Sequence, residues 1–203
     1  MMLPNSQNLA TTPLSILFEA AASTEPTPGG GCVSAVCGYL AIALLLKSIR
    51  ISARKQPADT TLPVVEQKLL GLSAKLLAFA QADSDSFGAY IQALRLPKDT
   101  PDREASRKQA LHDAIVKATE TALDILDLGN DVLDLAHQVQ FRVLTTIRAD
   151  EQSCVELISA MNTTAQENAA TNLAGLEGGD ALRKRLSDAT AKHDALLAAC
   201  HSS

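Results

Sequence analysis

The chain has no tryptophan, two tyrosines and four phenylalanines in 203 residues. Sandwiches and barrels fill their cores with aromatic and β-branched side chains. That scarcity, beside an abundance of Ala and Leu, points to helices. Basic runs are missing too: 18 Lys and Arg stand against 23 Asp and Glu, for a net charge of −5. This excludes a basic-patch nucleic-acid binder. Cys32, Cys37, Cys154 and Cys200 make no CxxC pair, and His112, His137, His193 and His201 stand at no ligand spacing. Reduced thiols in a cytoplasmic protein are therefore expected, with no metal site and the histidines at the surface or satisfied internally. Met1 to Leu9 carries neither a cationic start nor a long apolar stretch, so no secretory signal is expected. No Walker loop, strand-preceded GxGxxG, Ser/His/Asp or Cys/His constellation is present. The length suits one domain over 1–203, with 1–12 a flexible tail.

What is present is organised around Pro26-Thr27-Pro28-Gly29-Gly30-Gly31 and the apolar run from Cys32 to Leu46. The prolines favour extended backbone, and the glycines bring bare N–H groups close to whatever lies there. A helix starting behind them adds the positive end of its dipole, which suits an anion. The plainer alternative is a tight glycine entry into a buried helix. Gly31, Ser34, Ala35, Gly38 and Ala41 form a small-residue stripe that admits a neighbouring backbone, a second subunit or a flat ligand. About fifteen apolar residues are short for a membrane span, so a central bundle helix is expected and no membrane partner.

Periodicity predicts further helices over Leu14–Ala22, from Gly31 to Arg54, and from Leu62 to Leu96. Another covers Pro101–Leu128, with a kink at Gly129-Asn130, and the pattern resumes from Asp131 through Val143, Ile147 and Met161. Asp180–Ala199 forms the last. The fold expected is an all-α, up-and-down bundle of five or six helices. Two carboxylates interrupt apolar stripes, Asp83 in Leu76, Phe79, Phe87, Leu94 and Asp150 between Ile147 and Cys154. Inward carboxylates are rare and have shifted pKa values, so each is either a structural cap or half of a site.

Pro26–Gly31 with its small-residue helix, and Asp83…Phe87…Leu96-Pro97-Lys98, together resemble the cyclodeaminase/cyclohydrolase family. That family includes the formimidoyl-tetrahydrofolate cyclodeaminases and the bacterial methenyl-tetrahydrofolate cyclohydrolases. The likeness runs from about Leu14 to Leu197. It is weaker beyond Ala110, although Asp131-Val132-Leu133-Asp134-Leu135-Ala136 still fits. The family's Ser-Asp pair falls on Ala149-Asp150, its Gly-Asn on Val143-Leu144, and its lysine cluster on Arg54-Lys55, while Asn168 and Asn172 are kept.

The resemblance implies a cytoplasmic homodimer that takes a tetrahydrofolate derivative as substrate, without metal, near the glycine loop. Asp83 and Asp150 would handle protons, and Pro28, Gly29, Gly30, Gly31, Ser34, Lys55, Lys98 and Asn168 would contact the folate. Hydrolysis of 5,10-methenyl-tetrahydrofolate to 10-formyl-tetrahydrofolate is the activity expected, because no transferase domain accompanies the chain. Cyclodeamination with ammonia release and folate binding without turnover are the alternatives. The replaced Gly-Asn and Ser positions are expected to shape the pterin-facing wall.

Overall fold

A computed structural model describes residues 9–202. Helices α1 (Leu14–Ala21), α2 (Gly30–Lys55), α3 (Thr61–Leu94), α4 (Pro101–Val139), α5 (Arg148–Leu173) and α6 (Asp180–His201) make up almost all of it. Two 3₁₀ turns, Leu9–Thr11 and Thr145–Ile147, complete it, and no strand occurs among the described residues. The expected all-α bundle is present. Residues 1–8 of the expected tail lie outside the described residues, whereas Leu9 packs on the core.

Contacts arrange α2, α3, α4 and α5 as a square. α2 packs on α3 and α5, α4 packs on the same two, and α6 docks against α4 and α5. Local chemistry sets the ends. Thr100 caps α4 by accepting from the Arg103 amide at 3.3 Å, with Pro101 in the first turn and Asp102 and Glu104 beside the positive helix end. Asp59 accepts from the Thr61 amide at 2.8 Å at the start of α3.

Gly129-Asn130 makes no kink, since α4 runs unbroken through it. A Cβ at Gly129 would overlap the Asn162 carboxamide of α5, so this glycine serves close packing. Beside it a buried polar chain ties three helices. Asn130 Nδ2 donates to the Ala189 carbonyl at 2.9 Å, and Asn162 Nδ2 lies 3.1 Å from both Asn130 Oδ1 and His193 Nδ1. Burial holds the His193 pKa down, so the ring is neutral and Nδ1 accepts.

Three registers differ from expectation. α1 buries Leu17 and Ala20 and leaves Leu14 and Phe18 exposed, whereas its apolar spacing predicts Leu14, Leu17, Phe18 and Ala21 on one buried face. Beyond Ala80, α3 turns Ser86 and Ala93 inward, so Phe87 and Leu94 reach the surface. The chain reverses between Val139 and Arg148, which resets the helical phase before Asp150. α2 spans Gly30–Lys55, within one residue of the expected Gly31–Arg54 at each end. Its 26 residues include an 18-residue window of mean hydropathy 2.0, long and apolar enough to cross a membrane by length and composition. Half of that window is buried inside the bundle.

The same substitution therefore has opposite signs at two helical glycines. Gly129→Ala inserts a methyl into the Asn162 site and costs about 1–3 kcal/mol. Gly71→Ala on α3 meets nothing within 4 Å and gains up to about 1 kcal/mol from helix propensity. Urea unfolding of the two variants checks both.

Candidate active site

Gly29, in extended conformation, is the N-cap of α2 and offers no side chain to its free amides. A carboxylate from another helix fills that role. The Cys32 amide, in the first turn of α2, donates to Asp83 of α3. The approach is so close that a Cβ at Gly31 would overlap the carboxylate, reaching 2.6 Å from Cγ and Oδ2. This is why the third glycine of the loop has no side chain. The sequence pattern predicted an anion at this helix end, and the anion found there is the protein's own.

Burial pushes the Asp83 carboxyl up from the ordinary aspartate value, partly offset by the Cys32 hydrogen bond. The neighbouring Cys32 thiol is raised as well, chiefly by burial, against a hydrogen bond with Ser84 and in the same direction as the charges of Asp83 and Asp85. Asp85 itself points outward, accepting from Gln81 Nε2 at 3.1 Å.

Above this contact lies a cavity of about 270 Å³ lined by Pro26, Thr27, Gly29, Gly30, Gly31, Asp83, Phe87, Ala118, Asn168, Thr171 and Asn172. Four segments supply it: the loop, one face of α3, one residue of α4 and the last two turns of α5. Among the described residues, Asp83 is its one ionisable lining group, and no Lys or Arg lines it. The remaining polar groups are carboxamides, hydroxyls and the glycine backbone. Such a lining suits a ligand with a cationic or hydrogen-bonding centre near the carboxylate.

The predicted residues divide on this geometry. Gly29, Gly30, Gly31, Asp83 and Asn168 come together. Pro28 is buried beneath the loop, joined to Thr27 by a cis peptide, and does not line the cavity. Ser34 lies one turn deeper, its hydroxyl donating to the Gly31 carbonyl at 3.0 Å. Lys55 ends α2, about 38 Å from Gly30 along the axis. Lys98 follows α3, whose last residue is already about 16 Å beyond Asp83.

Asp150 sits in the first turn of α5, about 27 Å along that helix from Asn168, and pairs with Lys47 at 2.6 Å. It does not face Asp83 within this chain. The acid turned inward there is Glu151, whose carboxyl burial pushes up against the lowering effect of Arg148. Val143 and Leu144, the expected wall positions, lie in the α4–α5 connection at that same far end. The Leu144 amide donates to Ser52 Oγ at 3.0 Å. Sequence reasoning noted Phe87 and Asn172 without assigning them to the cavity. Ala118 and Thr171 carry no sequence signal at all.

Residues 13–192 match the sequence profile of the formiminotransferase-cyclodeaminase family. The chain belongs to that family. It is 28% identical over 174 residues to a methenyltetrahydrofolate cyclohydrolase of Methylorubrum extorquens, an alignment covering 84% of each chain. It is 30% identical over 124 residues to the formimidoyltransferase-cyclodeaminase of Sus scrofa, covering 60% of this chain and 23% of that protein. A crystal structure of a formiminotetrahydrofolate cyclodeaminase from Thermotoga maritima has the same fold, with a TM-score of 0.81 at 18% identity over 94% of this chain and 92% of that one. Among the described residues, no group of three His, Cys, Asp or Glu is placed to hold a metal ion.

A carboxyl whose folded pKa is raised adds stability below its unfolded pKa and loses it as pH rises through the folded value. Ionised Asp83 therefore weakens the fold at neutral pH. Asp83→Asn raises Tm at pH 7, and the gain disappears below the ordinary value of 3.8. Thermal scans across that range check the sign.

Proposed function

We propose that this member of the family hydrolyses 5,10-methenyl-tetrahydrofolate to 10-formyl-tetrahydrofolate. The observation that carries the reading is the half-buried Asp83 carboxylate in a cavity that, among the described residues, no cationic side chain lines. The methenyl bridge is a cationic N–C–N centre, which such a site favours over a neutral or anionic one. The long, two-sided alignment to a methenyltetrahydrofolate cyclohydrolase supports the same choice.

In the reaction, water adds to the methenyl carbon while the Asp83 carboxylate takes one of its protons. The resulting carbinol collapses to a formyl group on N10 as the C–N5 bond breaks and the hydroxyl proton passes to N5. One proton leaves overall. The Asn168 and Asn172 carboxamides and the glycine backbone hold the ring system by hydrogen bonds. Loss of the substrate's chromophore should be accelerated by the wild-type chain, and Asp83→Asn should lower that rate by about 10²-fold or more. Asp150→Asn, far from the cavity, leaves it within about twofold. No acceleration of hydrolysis, with ammonia released from a formimidoyl substrate, would move the assignment to cyclodeamination.

The chain acts as a homodimer joined through α2 in this reading. α2 is flanked by α3 and α5, and its remaining side presents Val36, Cys37, Leu40 at 50% exposure and Ala43. A charge at Leu40 is harmless to a solvated helix face and disruptive at a subunit contact. Sedimentation should show a dimer for the wild type and a folded monomer for Leu40→Glu. A wild-type monomer would remove this part of the proposal.

A further inference from the structure

We infer that Phe87 is the specificity-determining platform of the cavity, selecting ligands that carry a flat heteroaromatic ring beside the cationic centre. The inference rests on the folate reading and adds the residue that reads the ring. Phe87 follows Asp83 by one helical turn, so its ring and the carboxylate occupy one face of α3, about 6 Å apart at their Cβ atoms. It lines the cavity and, among the described residues, is the one aromatic that does, yet it remains 42% exposed.

A phenylalanine packed for stability alone would follow the core stripe inward. Here Ser86 takes the inward position and Phe87 is left on the cavity side. The Tyr90 ring, which does not line the cavity, lies 6.1 Å away at a 38° tilt and helps hold its orientation. Across the cavity the bare backbone of Gly29 and Gly30 leaves open space, where an added Cβ would meet nothing nearer than 3.9 Å. The aromatic ring and this unsubstituted peptide line one cavity. A flat ring stacked on Phe87 buries far more aromatic area beside Asp83 than a small non-aromatic N–C–N cation, which gains only a cation–π contact. Tyr90 is a positioning residue in this arrangement, since it touches the platform and does not line the cavity.

The test is equilibrium binding of 5-formyl-tetrahydrofolate by calorimetry to the full chain and to Phe87→Leu and Phe87→Tyr, with KM and kcat for methenyl hydrolysis alongside. Leucine keeps apolar bulk and removes the ring, so Kd and KM should rise about tenfold while kcat changes less. Tyrosine restores the ring and should bind within about twofold of wild type. Phe87→Leu binding as tightly as wild type would overturn the inference while leaving the folate reading intact. So would unchanged affinity with a loss of the dimer, which would mean a second copy covers the ring. Failure of the wild type to bind any tetrahydrofolate would remove the folate reading, and this inference with it.

Discussion

The contact between the Asp83 carboxylate and the first turn of α2 sets most of what surrounds it. A helix N-terminus with a glycine cap leaves amides to satisfy, and Asp83 satisfies one from a neighbouring helix. For that to happen α3 must lie close against α2, which forbids a side chain at Gly31. The same closeness lifts the carboxyl's pKa by burying it. In the proposed reaction a structural cap and a proton acceptor are one group, so the two readings the sequence left open are not alternatives.

Small residues recur wherever helices approach this tightly. Gly38 would overlap Met161 of α5 if it carried a Cβ and would come within 3.1 Å of Leu76 of α3. The small stripe of α2 is therefore spent inside the bundle, against α3 and α5. Its outer face, left apolar and open, is a different set of residues. The far end of the bundle is held by other means: the Lys47–Asp150 pair, Arg142 on Asp59 at 2.9 Å, and Gln56 on the Arg142 carbonyl at 2.8 Å. Family positions replaced at Val143, Leu144 and Ala149 belong to that end and not to the cavity.

The helical fold was legible because periodicity, caps and turn residues agree along the chain, as at Thr100-Pro101 and Leu96-Pro97. Asp83 and the glycine loop were legible for a related reason. A carboxylate on an apolar stripe and three glycines before a helix each break a local rule, and the two breaks compensate one another. Asp150 does not hold the inward position that periodicity predicts, because helical phase does not persist across the reversal at Gln140–Ile147. One residue on, Glu151 holds the buried position. Ala118 and Thr171 reach the cavity only through the packing of α4 and α5, which no local pattern encodes.

The most direct measurement is a carbon-13 NMR titration of the Asp83 carboxyl, assigned by difference from Asp83→Asn, in the free protein and with a methenyl-tetrahydrofolate analogue that resists hydrolysis. A buried carboxylate facing a cationic ligand should titrate above the ordinary aspartate value when free and lower when the cation is bound, with proton release on binding. An ordinary value in the free protein, or no response to the ligand, would contradict the role of Asp83 as the acceptor at the head of α2.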